Sequence, residues 1–176
     1  QVERLSPTSD QNAHHFGTSV SVGYHEHNGE GFYEIAVGAP DDGSDASNKT
    51  GALYIFRYTD RWRQNNKLRP SDREVGDQFG RSVNISGKYI IVGAPADDEG
   101  GYNSVGSAYI YTVDSDNSWG SQAKLLPADI ITDQGFGMSV SISGDYAVIG
   151  APDDDISNLN NAGSAYVFVR DGTSWS

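Results

Sequence analysis

Oxygen-bearing side chains able to hold a hard cation stand together in one stretch of this 176-residue chain, Glu26-His27-Asn28-Gly29-Glu30-Gly31-Phe32-Tyr33-Glu34. Counted from Glu26, side-chain oxygens fall at positions 1, 3, 5 and 9, with a glycine at 6 and the Phe32 carbonyl at 7. A calcium ion takes about six to eight oxygens converging on one point, and this spacing suits a loop that wraps one ion. Glu26, Asn28, Glu30, Phe32 and Glu34 are therefore a candidate metal site, with calcium favoured over magnesium. Three of the five are glutamates, one methylene longer than aspartate, and they crowd a tight loop. The competing reading is a solvated acidic hairpin tip.

A second set of polar residues recurs. Two residues after each of three Gly-Ala-Pro triplets stands an aspartate, Asp42, Asp97 and Asp154, and eight residues after each proline an asparagine, Asn48, Asn103 and Asn160. Further acids flank them: Asp41, Asp45, Asp98, Glu99, Asp153 and Asp155. Three equivalent polar loops, with Trp62, Trp119 and Trp175 nearby, have the chemistry to bind a cation or a sugar, since aromatic faces stack on apolar ring faces. The favoured reading is structural: Asp and Asn side chains pin their own loop backbones, and the shared aromatic residues form the core.

The four histidines, His14, His15, His25 and His27, lie close in sequence. The two pairs flank a strand whose rise of about 3.3 Å per residue separates them by roughly 25 Å, which argues against one zinc ion. No nucleophile elbow, phosphate-cradling loop or cysteine is present. A paired-carboxylate hydrolase ranks last, because catalysis needs one asymmetric constellation and these acids repeat.

The elements that position these residues are repeats. Phe16-Gly17-Thr18-Ser19-Val20 leads to Gly38-Ala39-Pro40, Phe79-Gly80-Arg81-Ser82-Val83 to Gly93-Ala94-Pro95, and Phe136-Gly137-Met138-Ser139-Val140 to Gly150-Ala151-Pro152. From the Gly of each triplet to the next shared Gly is 13 residues, 38 to 51, 93 to 106 and 150 to 163. A Trp follows each, and six residues after Trp62 and Trp119 come Leu68 and Leu125, each two before a proline. Leu5 and Pro7 fit the same frame ahead of Phe16. The first copy carries eight extra residues between Gly17 and Gly38, and these bring in the acidic stretch. Such self-similarity marks an array of one supersecondary unit.

Within each unit the pattern is four short strands and no helix. The expected strands of the first unit are Ser19–Val22, Tyr33–Val37, Leu53–Arg57 and Trp62–Leu68, with a loop over 23–31. The second unit has Ser82–Ser86, Tyr89–Val92, Ser107–Thr112 and Trp119–Leu125. The third has Ser139–Ser143, Tyr146–Ile149 and Ser164–Val169. Val2–Leu5 reads as one further short strand. Four antiparallel strands in about 57 residues is the pattern of a propeller blade. The fold class is all-β and propeller-like: one repeat domain over 1–176, with blade one about 8–68, blade two about 71–125 and blade three about 128–176. Blade three is completed by strand 1–6 of the same or another chain. Three blades are too few to close a ring, so closure by oligomerisation, with a dimer favoured, or a longer array is expected.

Composition bounds the partners. A net charge of −12 argues against nucleic acid and anionic membrane surfaces, which need a basic footprint. No apolar run approaches the roughly 20 residues of a membrane helix. Asn48-Lys49-Thr50 and Asn84-Ile85-Ser86 match the glycosylation sequon, which chance also supplies. The chain begins at Gln1 rather than Met, so processing or excision from a longer chain is expected.

The phrase Phe-Gly-x-Ser-Val followed by Gly-Ala-Pro resembles the FG-GAP repeat of integrin α-subunit head domains and of many secreted microbial proteins, over nearly the whole chain. The resemblance implies a β-propeller used for extracellular recognition or adhesion, often with calcium in the loops of some blades. The family's calcium loop falls where the insertion lies, with Asp or Asn at the positions held here by Glu26, Asn28, Glu30 and Glu34. The function expected is a secreted, non-catalytic module binding a glycan or protein, with calcium in the first repeat. A structural unit serving oligomerisation is the second reading and a carbohydrate-active enzyme the third.

Overall fold

The computed structural model describes residues 3–8, 13–43, 47–157 and 159–176. The described chain is all-β, with fourteen strands: β1 (Ala13–His14), β2 (Ser19–His27), β3 (Glu30–Ala39), β4 (Asp41–Asp42), β5 (Ala52–Tyr58), β6 (Trp62–Leu68), β7 (Ser82–Ser86), β8 (Tyr89–Ala94), β9 (Ser107–Val113), β10 (Trp119–Leu125), β11 (Ser139–Ser143), β12 (Tyr146–Ala151), β13 (Ser164–Asp171) and β14 (Ser174–Trp175). They form three four-stranded antiparallel sheets, ordered β2-β3-β5-β6, β7-β8-β9-β10 and β11-β12-β13-β14, plus the small pair β1-β4. Each sheet is a meander of neighbouring strands, as the repeats require.

The sheets stack face to face, with their first strands β2, β7 and β11 adjacent. One core lies between blades one and two, where Ala36, Leu53 and Ile55 meet Phe79, Val83, Ile85, Ile90 and Val92. A second lies between blades two and three, where Ile91, Ala108 and Ile110 meet Phe136, Ile142, Ala147 and Ile149. Both faces of a middle blade are buried, which is why Tyr89–Ala94 is apolar throughout rather than alternating. The stack is an open arc: each described core cluster involves at most two adjacent blades, and none joins blade one to blade three.

The repeated motif is the joint between blades. Ser19 Oγ donates to the Gly80 carbonyl at 2.8 Å, and Ser82 Oγ donates to the Gly137 carbonyl at 2.7 Å. A Cβ on Gly38 or Gly93 would sit 1.9 Å from that same carbonyl oxygen, so only glycine allows the approach. Inner strands are tied too: the Ile85 N–H donates to Ser21 Oγ at 3.1 Å and the Ile142 N–H to Asn84 Oδ1 at 2.8 Å. Asn84 is thus committed to the joint and half-buried, which disfavours its sequon as a glycan site; Asn48 is exposed.

Two expectations are corrected. Residues 23–31 are not a loop. The strands run on as a hairpin to His27 and Glu30, closed by the two-residue turn Asn28-Gly29 with φ of 52° and 81°, the backbone that Asn-Gly favours. Glu3–Pro7 is not a strand, and Val2 lies outside the described residues. This segment lies along β6, where the Trp62 N–H donates to Glu3 Oε2 at 3.4 Å and the Thr8 N–H to Gln64 Oε1 at 3.0 Å. Leu5 packs with Phe16 and Trp62 on the outer face of blade one.

Candidate functional site

The five residues of the acidic stretch do not converge. Glu26 pairs with Gly31, His27 with Glu30, His25 with Phe32 and Gly23 with Glu34. Strand alternation places Glu26 on one face of this ladder and Glu30 and Glu34 on the other. Asn28 is in the turn itself. A two-residue turn leaves no loop to wrap an ion, and among the described residues no group of three or more His, Cys, Asp or Glu is placed to hold a metal. The residues present therefore do not fit a calcium site of the expected kind.

What the insertion builds instead is a buttress between blades one and two. Glu34 is fully buried. Its Oε1 accepts from Arg57 Nε at 2.8 Å, and its Oε2 accepts from Trp119 Nε1 at 3.0 Å. His25 lies 3.5 Å from Glu34 and 3.3 Å from Asn117 Oδ1, while His27 Nε2 lies 3.0 Å from the Ser115 carbonyl. The hairpin extension thus grips the turn between β9 and β10. Two of the four histidines, His25 and His27, are committed to this grip.

The recurring aspartates are brought together with a shared set of partners, one set per blade. Asp42, Asp97 and Asp154 are all buried. Asp42 accepts from Tyr54, Arg69 and Lys67, the last at 3.0 Å. Asp97 accepts from Ser107, from Tyr109 at 3.0 Å and from Lys124 at 2.9 Å. Asp154 accepts from Gln134 at 2.9 Å and Tyr166 at 3.1 Å. Burial alone would raise the Asp154 carboxyl, but hydrogen bonds from Ser164, Gln134 and Tyr166 outweigh it and hold it below its ordinary value. The backbone completes the pattern, with the N–H groups of Gly51, Gly106 and Gly163 donating to the carbonyls of Asp42, Asp97 and Asp154. That bond fixes the 13-residue spacing. The aspartates are loop anchors, each held by a tyrosine of the neighbouring strand, with a lysine added at Asp42 and Asp97 and Gln134 at Asp154, where the sequence suggested local Asx-turns alone.

The asparagines behave differently. Asn48, Asn103 and Asn160 are all exposed. Asp98 Oδ1 accepts from the Ser104 N–H at 2.8 Å and Asp155 Oδ1 from the Asn161 N–H at 2.7 Å, so these flanking acids do close their own loops. Asp45 lies outside the described residues. Clefts open beside the loops at each joint. One is lined by His15, Pro40, Asp41, Gln78 and Arg81, and its successor by Gln78, Pro95, Ala96, Asp133 and Asp153. Asn48 lines a third, of about 400 Å³, with Arg69, Arg73 and Glu74.

Residues not singled out from the sequence complete the anchors. Tyr54, Tyr109 and Tyr166 follow the shared glycine at one spacing, and Lys67 and Lys124 each precede a shared leucine, so their repetition was the available signal. Asp77 gave no such signal. It is buried in blade two where blade three has Gln134. Burial, with the charges of Asp97, Glu74 and Asp98, pushes its carboxyl up to about 6, against a hydrogen bond from the Glu74 N–H that lowers it.

A family model described as FG-GAP repeat matches residues 62–111 and 119–168, together more than half of the chain. A comparison with curated proteins gave no match. Each matched segment runs from the tryptophan of one outer strand to the third strand of the next blade and so straddles one joint. The first copy, with its insertion, lies outside the matched segments. With three four-stranded blades joined at Phe-Gly and Gly-Ala-Pro, the chain belongs to the FG-GAP repeat family.

Proposed function

We propose that this β-propeller module is a non-catalytic, extracellular recognition domain whose ligand, a glycan or a protein surface, is held at the loop rim. The observation that carries this reading is the split between the two residue types of each loop. Asp42, Asp97 and Asp154 are buried and fix the backbone, while Asn48, Asn103 and Asn160 are exposed at equivalent places. Exposed amides beside anchored aspartates suit polar recognition, because donors and acceptors near an anchor lose less freedom when the ligand arrives. A non-catalytic role is supported by Asp77: the acid pushed up to about 6 is only 3% exposed, out of reach of a substrate.

Glycan- and protein-array binding tests the proposal. Replacing Asn48, Asn103 and Asn160 together with alanine should abolish the binding found while the circular dichroism spectrum stays that of the folded chain. Binding that survives this change, or turnover of a bound glycan, would contradict it.

A further inference from the structure

The connection from the outer strand of one blade to the next Phe-Gly has one length at both joints, 68 to 79 and 125 to 136. Its residues divide into those that recur and those that do not. Pro70 recurs as Pro127 and Asp72 as Asp129. Both aspartates accept from the anchor tyrosines, Asp72 from Tyr109 at 3.2 Å and Asp129 from Tyr166 at 2.6 Å. Arg69, Arg73 and Glu74 do not recur, and Leu126, Ile130 and Ile131 stand in their places. The joint between blades two and three forms without charge at these positions, so the fold does not require it.

Charge is shared unequally between the two anchors. In blade two one cation serves three carboxylates: Lys124 Nζ lies 2.9 Å from Asp72, 2.9 Å from Asp97 and 3.0 Å from Glu99. In blade one two cations, Lys67 and Arg69, serve the single carboxylate of Asp42. One lysine suffices at Asp97, so Arg69 is surplus to the anchor. Among the described residues only its Nη2 donates, to Asp42, and its buried Nε has no hydrogen-bond partner. Arg73 is exposed, donates to the Pro70 carbonyl at 3.2 Å, and pairs with no carboxylate among the described residues. Two arginines with donors unspent therefore stand at one joint of a chain whose net charge is −12.

Both line the cleft of about 400 Å³ that also holds Asn48, Ser71, Glu74 and Val75. A planar guanidinium fork matches the two oxygens of a carboxylate. The Asn48 amide and the Ser71 hydroxyl can each donate to and accept from a sugar hydroxyl. Val75, 61% exposed, offers an apolar surface to the C–H face of a sugar ring. Glu74 accepts from hydroxyls and repels a second negative charge, which favours a ligand with one anionic group among many hydroxyls over a densely charged polyanion.

We propose that this cleft seats one acidic sugar of a glycan, a uronic-acid residue whose carboxylate is gripped by Arg69 and Arg73 while Asn48 and Ser71 bond its hydroxyls. This rests on the glycan reading of the loop rim and names the ligand class of the first loop. The equivalent positions Leu126 and Ile130 have no cation to offer, so the charge is read at one joint only.

Calorimetric titration with oligomers of galacturonic, glucuronic and mannuronic acid, each beside its neutral methyl ester, tests the proposal, with inorganic sulfate as a further probe. At least one acid oligomer is expected to bind about ten-fold or more tightly than its ester, with an affinity that falls as added salt screens the charges. Arg73→Gln should lose about ten-fold toward that acid and nothing toward the ester, Arg73→Lys should regain part of the loss, and both should keep the wild-type circular dichroism spectrum. Equal binding of acid and ester, or an unchanged affinity in Arg73→Gln, would overturn the inference and leave the glycan reading standing. Sulfate binding as tight as the oligomer would overturn it too, by marking a seat for a free anion. Failure of every acid and ester to bind would also overturn it, and the glycan array then separates that result from failure of the wider reading, since neutral glycans bound there keep the latter.

Discussion

Trp119 donates its indole N–H to Glu34 across the joint between blades one and two at 3.0 Å, and both side chains are buried. The bond matters because the Glu34 side chain is fully buried and held by this donor and by Arg57 at 2.8 Å. Removing one member of a buried charged pair leaves the other uncompensated, at a cost of about 3 kcal/mol or more. Glu34→Ala is expected to lower the urea-unfolding free energy by about that much and to shift Trp119 emission in the folded state. Unchanged stability would mean that the insertion does not brace the joint.

Blade two carries one acid that works against folding at neutral pH. The folded Asp77 carboxyl is raised to about 6 from an ordinary 3.8, so the native state binds a proton that the unfolded chain has released. Its contribution to stability therefore rises as pH falls from about 6 to 4 and is lost above 6. Asp77→Asn keeps the shape and the acceptor for the Glu74 N–H. It should gain about 1–2 kcal/mol at pH 7.5 and little at pH 4, after allowance for solvent screening. Thermal unfolding of both proteins across that range reads this directly. A variant equally stabilised at both ends would contradict it.

The glycine of Gly-Ala-Pro is a contact point rather than a turn. In Gly93→Ala the new methyl would lie 1.9 Å from the Gly137 carbonyl oxygen, a backbone atom that cannot yield without opening the joint. Destabilisation of about 3 kcal/mol or more is expected. Gly120→Ala, in an outer strand with nothing within 4 Å of its Cβ, should stay within about 0.5 kcal/mol of wild type.

The hairpin at 26–34 is closed by its own ladder and the Asn28-Gly29 turn. Adding EDTA is expected to leave the melting temperature unchanged, and so is Glu30→Ala. A fall on EDTA that calcium reverses and Glu30→Ala abolishes would restore the ion-binding reading.

Much of this fold was legible because register repeats. Ser82–Ser86 and Ser139–Ser143 are legible to the residue, since alternation and the turn glycines Gly87 and Gly144 agree there, and the repeated Trp and Leu mark out Trp62–Leu68 and the strand around Trp119–Leu125. The stretch around Glu30 was misread because its strands alternate charged and aromatic residues, which hides the two-residue period, and because oxygen spacing was weighed above the Asn28-Gly29 turn signal. Spacing along a chain says which atoms are near in sequence; a tight hairpin then sends alternate ones to opposite faces. The partners of Asp42, Asp97 and Asp154 lie across strands, so their burial was invisible until β5, β9 and β13 were placed beside them.

The claim on which the rest depends is that each Phe-Gly and Gly-Ala-Pro copy is a joint between blades. Urea unfolding of the double variant Ser19→Ala, Ser82→Ala tests it most directly, since each hydroxyl donates to a glycine carbonyl of the next blade. A loss of about 1–3 kcal/mol is expected; stability equal to wild type would contradict the account.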